Sequence, residues 1–306
     1  MRAAPLLLAA TLTACAGETG PCKLGIAADL PVTTSERAFF TSIGINNGTA
    51  RVRVDTGSAN NLLSASTATR LGMAQQMLMG AMVRGVGGAR PVNLAVSDRV
   101  TLGGAHGNHI AFITAEDSTF PPGTDGLLGM DFLSQYDDDL DFQAGHLRLV
   151  RARGDCARAN TPLPPPLYAV KFRTLGTAGP PIIDVVINGI KLSAVIDTGA
   201  TLSLLFRPAA ERLGLPVTSM LAGGGRRING IGSGSTRAAF GILHEPVTIG
   251  ALEISNLPMT IADQDSGAGV DMLLGYDFAK TVHLWISHSS QTVLMQYPAQ
   301  PTPLAR

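Results

Sequence analysis

The chain has 306 residues with 23 basic and 23 acidic side chains, and a net charge of zero leaves no electrostatic footprint for nucleic acid or an anionic membrane surface. At 45% hydrophobic and 15% charged residues it is too apolar and too weakly charged to stay disordered. The length allows two domains, and 35 Gly with 19 Pro, scattered without period, point to short strands and many turns.

Met1 and Arg2 form a short positive start and Ala3 to Thr13 an apolar run. The run is too short to cross a bilayer, which takes about 20 residues, and has the form of a signal-peptide core. Leu12-Thr13-Ala14-Cys15 resembles a bacterial lipobox. That resemblance implies cleavage before Cys15, lipidation of its thiol, and an exported, periplasmic protein that meets a membrane only through its lipid anchor. An ordinary secretory signal containing a cysteine is the other reading. Residues 1–14 are thus read as signal peptide and 15–35 as an N-terminal arm. Two thiols remain, Cys22 and Cys156. An exported compartment permits a disulfide between them, closing a long loop for a model-dependent gain of about 4–5 kcal/mol; two free thiols are the alternative.

Residues 36–150 read as a first lobe. Ile45-Asn46-Asn47-Gly48 leads into Arg51-Val52-Arg53-Val54 and then Asp55-Thr56-Gly57-Ser58. Ser64 can cap a short helix ending near Gly72. Short apolar runs such as Asn93 to Val96 and Ile110 to Ile113 complete a mostly β pattern. His106 and His109 are three apart without a third ligand and are read as loop residues. Asp131, after Leu127-Leu128-Gly129-Met130, reads as a helix cap or a structural hydrogen-bond acceptor. Asp137-Asp138-Asp139 with Asp141 lacks the glycine spacing and terminal Glu of a calcium loop, so a solvated turn is expected. Phe142 is expected in the core.

Residues 151–166 hold Pro162, Pro164, Pro165 and Pro166, a run that favours extended backbone and reads as a semi-rigid linker. Residues 167–298 then repeat the first lobe, with 299–306 as a tail. Ile187-Asn188-Gly189 leads to Ser193-Ala194-Val195-Ile196-Asp197-Thr198-Gly199-Ala200. Arg70-Leu71-Gly72 returns as Arg212-Leu213-Gly214, after a helix in whose first turn Pro208 is tolerated. Gly85-Val86-Gly87 returns as Gly230-Ile231-Gly232, and Asp125-Gly126-Leu127-Leu128-Gly129-Met130-Asp131-Phe132 as Asp271-Met272-Leu273-Leu274-Gly275-Tyr276-Asp277-Phe278. Trp285 falls in a late strand that matches Phe142 and is expected in the core.

One Asp-Thr-Gly arises by chance in about one in twenty chains of this length. Two, each after an apolar strand and each followed by Leu-Leu-Gly-x-Asp-Phe, resemble the aspartic proteases, specifically a retropepsin-like protease of the bacterial single-chain tandem type. The resemblance spans nearly the whole chain after the signal. It implies two β-barrel lobes, each with a short helix, and an active site at the lobe interface with Asp55 and Asp197 as the catalytic pair. It also implies that Thr56 and Thr198 bond across the lobes. Gly85, Val86 and Gly87 with Gly230, Ile231 and Gly232 are then flap tips over an extended polypeptide substrate with apolar side chains beside the scissile bond. Neither cluster carries the flap tyrosine of pepsin-like enzymes. A phosphate-loop reading of Gly230 to Gly234 fails, since no long helix and no Walker lysine follow.

The chemistry implied needs no metal, cofactor or covalent intermediate. Two carboxylates about 3 Å apart repel by roughly 5–6 kcal/mol if both are ionised at an effective dielectric near 20. They therefore share one proton, the ionised member acting as base on water and the protonated one polarising the carbonyl. Gly57 and Gly199 allow the backbone to approach the carboxylates. The motifs differ at Ser58 against Ala200, and a Ser58 hydroxyl beside Asp55 is expected to favour its ionised form, with Ala200 leaving the pair's pKa higher. A single chain supplies both halves, so a monomer is sufficient, while a dimer of chains is an alternative assembly. A catalytically silent peptide-binding module with the same fold is the rival from another class.

Overall fold

The computed structural model describes residues 22–154, 163, 165–176, 178–231 and 234–297. The signal segment, Cys15, Cys156, Pro162 and Pro164 of the proline run, Gly232 and the tail lie outside the described residues. Cys22 is disulfide-bonded.

Strand Gly48–Val54 buries Ala50, Val52 and Val54 completely, and the pleat places Arg51, Arg53 and Asp55 on the other face. Strand Ile190–Ile196 does the same with Leu192, Ala194 and Ile196, leaving Val195 on the face of Asp197. Each is flanked by a three-residue strand. Gly126–Leu128 runs parallel to Gly48–Val54 and antiparallel to Leu62–Ser64. Met272–Leu274 repeats this with Ile190–Ile196 and Leu204–Phe206. Central strands carry apolar side chains on both faces, which explains why Leu-Leu-Gly appears in both copies without polar alternation. Their last carbonyls fix the aspartates' backbone: Asp55 N–H donates to Leu128 O at 3.0 Å and Asp197 N–H to Leu274 O at 2.9 Å.

The short helices follow their expected ends. Ala65–Arg70 is capped by Ser64, whose Oγ accepts from Thr67 N–H, and Arg207–Arg212 carries proline in its first turn. The recurrence of Arg-Leu-Gly has a physical cause that sequence alone did not reveal. Arg70 pairs with Asp125 and Arg212 with Asp271, each at 2.8 Å, and those aspartates also accept from Arg51 N–H and Ser193 N–H. Asp131 and Asp277 are hydrogen-bond acceptors rather than caps, taking Asn61 N–H and Ser203 N–H. His106 lies in strand Ala105–Asn108, and His109 follows it with positive φ. Phe142 and Trp285 are buried.

The lobes are joined by one continuous sheet. Strands Lys23–Pro31, His146–Arg153 and Asp137–Asp141 of the first half continue into His283–Ser287, Thr292–Gln296 and Tyr168–Arg173 of the second. Part of the expected arm and the first residues of the expected linker are therefore strand. Leu163 of the linker packs with Val150, Trp285 and Leu294. Among the described residues no helix is long and apolar enough to cross a membrane.

The aspartate run departs from expectation. Asp137, Asp138 and Asp139 are not a solvated turn but lie in a buried strand, at 4%, 0% and 5% exposure. Partners from the other lobe hold all three: Asp137 accepts from Ser287 Oγ, Ser289 N–H and Ser289 Oγ, Asp138 pairs with His288 at 3.2 Å, and Asp139 pairs with His283 as well as with Arg148 of its own lobe. Burial raises Asp138 to about 6, against the opposing pull of His288 and with the neighbouring Asp137 adding to the rise. Its Oδ1 has no partner, as a protonated acid tolerates better than a carboxylate.

A carboxyl that holds its proton more tightly when folded stabilises the native chain most in acid, and that contribution is lost as pH climbs from the unfolded to the folded pKa. The window here runs from about 4 to about 6. Asp138→Asn is expected to flatten this decline, gaining on the order of 2 kcal/mol over the wild type at neutral pH. Thermal unfolding across that window checks it.

Candidate active site

The two Asp loops meet where the lobes face each other, and the threonines lock them. Thr56 Oγ1 donates to Ile196 O at 2.6 Å and accepts from Thr198 N–H at 3.1 Å. Thr198 Oγ1 donates to Val54 O at 2.8 Å and accepts from Thr56 N–H at 3.1 Å. Both threonines are fully buried, so all four bonds form in low dielectric, where losing a partner leaves a desolvated group at a cost of about 1–3 kcal/mol each. The register of the aspartates is thus set by the opposite lobe's backbone.

Each motif glycine sits against the other lobe's carboxylate. A Cβ on Gly57 would overlap Asp197, and one on Gly199 would overlap Asp55. This is a stricter requirement than the local turn, because the space a side chain needs is occupied by the facing carboxylate. Within its own loop Asp55 Oδ1 accepts from Gly57 N–H at 3.1 Å, and Asp197 Oδ1 from Ala200 N–H at 2.9 Å.

Asp55 and Asp197 face each other, and each influences the other's hold on its proton. Burial pushes both above the ordinary carboxylate range. For Asp197, raised to about 7, the negative charge of Asp55 adds to burial, while loop N–H groups and Arg53 oppose it. Asp55 is raised by burial but pulled back by the Arg53 guanidinium and by the N–H groups of Ser58 and Gly57. Both carboxyls are thus held above the ordinary range, with the Arg53 charge and the loop N–H groups favouring the ionised form of Asp55.

Ser58 does not act as expected. Its hydroxyl donates to Asn60 O at 2.8 Å, and it is the Ser58 backbone N–H that favours ionised Asp55. Ala200 supplies a backbone N–H to Asp197 in the same way, so the Ser/Ala difference places no hydroxyl on one carboxylate. Arg53, which sequence reasoning passed over, is a charged difference between the halves that acts on both aspartates. The repeat aligns it with Val195, two residues before each aspartate, and that comparison would have found it.

Two hairpins, one from each lobe, meet at their tips. Met82–Gly85 pairs with Gly88–Pro91, and Arg226–Asn229 with the start of Ser235–Leu243. The tips touch: Gly87 N–H donates to Ile231 O at 2.9 Å and Gly234 N–H to Gly87 O at 2.7 Å. A Cβ on Gly87 would lie 2.7 Å from Gly230 O, so the bare backbone is what permits the contact. Val86 lies against Gly230, and Ile231 reaches across to pack on a first-lobe cluster of Leu62, Val92, Ala115, Phe120 and Leu127. Gly85, Val86, Gly87, Gly230 and Ile231 are thus brought together, with Gly232 outside the described residues. Among the described residues no group of three metal-ligating side chains is assembled.

This geometry has counterparts elsewhere. The family model described as "Aspartyl protease" matches residues 41–132 and 183–278, one match per repeat and together more than half of the chain. No curated protein matches. Among solved structures 424 chains match, including the aspartic proteinase from Irpex lacteus, 15% identical, aligned over 93% of this chain and 100% of that one with a TM-score of 0.56; at that identity the likeness is one of fold. With a family match in each half and two Asp-Thr-Gly loops meeting at the lobe interface, the chain belongs to the aspartyl protease family.

Proposed function

We propose that the protein is an aspartic endopeptidase in which Asp55 and Asp197 activate one water against a peptide bond of an extended polypeptide. The observation that carries this is the facing pair of buried carboxylates, each seated on the opposite lobe's glycine. Ionised Asp55 takes a proton from the water, whose oxygen bonds to the scissile carbonyl carbon. Protonated Asp197 hydrogen-bonds the carbonyl oxygen and gives up its proton as charge develops there. Asp55 then passes the proton it took from water to the amine nitrogen, the C–N bond breaks with its electron pair leaving on nitrogen, and Asp197 recovers its proton from the diol hydroxyl as the new carboxyl group forms. No atom changes oxidation state, and both proton transfers are carried by the two carboxyl groups.

Backbone edges on the flap hairpins support binding of the substrate as a strand, with alternate side chains filling pockets. Hydrogen-bonded flap tips imply that they part for entry, a gating step. Both halves reside in one chain, which supports an active monomer. The apolar segment before Cys15 supports an exported, lipid-anchored enzyme.

The pair works while it holds one proton, and its apparent pKa values belong to both groups. With Asp197 at about 7, kcat/KM is expected to fall as pH rises through about 7, where the pair loses that proton. A pH–rate profile checks this, and an unchanged rate well above that limb would be inconsistent with the assignment. The function itself is tested by incubating the purified protein with a diverse peptide library and reading new termini by mass spectrometry. Internal cleavage is expected, blocked by a peptide carrying a secondary alcohol in place of the scissile carbonyl; an intact library at acidic and neutral pH would sink the reading.

A further inference from the structure

The duplicated fold supplies its own control for what lies beside the dyad. Val195 stands next to Leu273 in register, and the pair belongs to an apolar cluster with Leu204, Phe206 and flap residue Ile228. The equivalent neighbours in the first lobe are Arg53 and Leu127. Leu127 belongs to the matching cluster under the flaps, but a guanidinium stands where the second lobe has an isopropyl group. Arg53 crosses the interface, its Nη2 donating to Thr201 Oγ1 at 3.2 Å, while its buried Nε has no acceptor. Its charge reaches both Asp55 and Asp197 through space rather than by an ion-pair contact. A guanidinium carries five N–H donors in a planar fork matched to carboxylates, and a buried donor left unpaired is costly.

We propose that Arg53 is a specificity-determining residue: the subsite on the first lobe's flank of the dyad receives an aspartate or glutamate side chain of the substrate, while the second lobe's subsite receives an apolar one. This rests on the peptidase reading above. The substrate carboxylate completes the fork that Thr201 only begins to satisfy. The single negative charge of the dyad is balanced by Arg53, so the approaching carboxylate meets a site with no net charge. Only one of the two residues flanking the scissile bond takes part, because Val195 offers nothing polar.

The test uses peptide sets identical except for Glu, Gln or Leu at either position flanking the cleaved bond, each measured across a pH profile. For the wild type, kcat/KM for Glu over Gln is expected to be about tenfold or more at one flank, the size of a charge-assisted hydrogen bond, and about one at the other. Arg53→Met should bring the first ratio to about one, and Arg53→Lys, which keeps the cation but loses the fork, should leave an intermediate ratio. If Arg53 only tunes the dyad, Arg53→Met shifts the pH profiles of Glu and Gln peptides together and leaves their ratio unchanged, which overturns the proposal. Equal cleavage of Glu, Gln and Leu peptides by the wild type also overturns it, with the peptidase reading intact. No cleavage of any peptide removes the peptidase reading and this inference with it.

Discussion

Asp55→Asn and Asp197→Asn are each expected to lower kcat/KM by about a thousandfold or more, since each removes one half of a general acid–base pair worth roughly 10²–10⁴-fold. An amide at 55 cannot accept the water's proton, and an amide at 197 cannot release one to the carbonyl oxygen. Stability should move the other way. Both carboxyls have pKa values raised by burial, so ionising them costs the folded chain free energy once the pH exceeds their unfolded value. A neutral isostere removes that cost, and the melting temperature at neutral pH should hold or rise. Activity lost with stability kept separates a chemical role from a structural one. Activity lost with a collapsed melting temperature would indicate that the carboxylates hold the lobes together.

Gly199→Ala is the second large effect, with Gly57→Ala as its mirror. The added Cβ would overlap the Asp55 carboxyl group, and neither side can yield easily, because Thr56 and Thr198 tie both loops to the opposite lobe through buried hydrogen bonds. Displacing a carboxylate by about 1 Å from its reacting position costs on the order of a hundredfold in rate. We therefore expect kcat/KM to fall by at least that factor, accompanied by a lower melting temperature as the grip is strained. Gly25→Ala is the control, since a Cβ there meets nothing within 4 Å. Steady-state kinetics and thermal unfolding of the three variants decide the matter; a fully active Gly199→Ala protein would show that the loops are not held as tightly as the hydrogen bonds imply.

The parts of the architecture legible in the sequence are those written locally and written twice. The alternation of Arg51 to Val54, the serine cap at Ser64, the proline at 208 and the repeated Leu-Leu-Gly each report on short-range geometry, and the repeat turned them into two lobes. Contacts between the copies were harder to read. Asp137, Asp138 and Asp139 look like a solvated run because no alternation marks them, and their partners His283, Ser287, His288 and Ser289 come from the far end of the chain. Only the sheet shared by both lobes brings them together. The Ser58 hydroxyl illustrates a different limit, since adjacency to Asp55 in sequence did not determine whether it would turn to that carboxylate or to Asn60 O. Arg53 was legible in principle. Its place two residues before Asp55 puts it on the same strand face, and the repeat sets it against Val195, but a charged residue beside the dyad was not part of the motif being matched.

The central claim is that water, held between Asp55 and Asp197, attacks the peptide carbonyl directly. Its most direct test is a single turnover in ¹⁸O-labelled water with an excess of a free amine nucleophile, quenched rapidly and read by mass spectrometry of both the peptide fragments and the protein. The account predicts one labelled oxygen in the new carboxylate, no fragment transferred to the amine, and no acylated protein at any time. An acyl-protein adduct, or transfer of the acyl fragment to the amine, would contradict it.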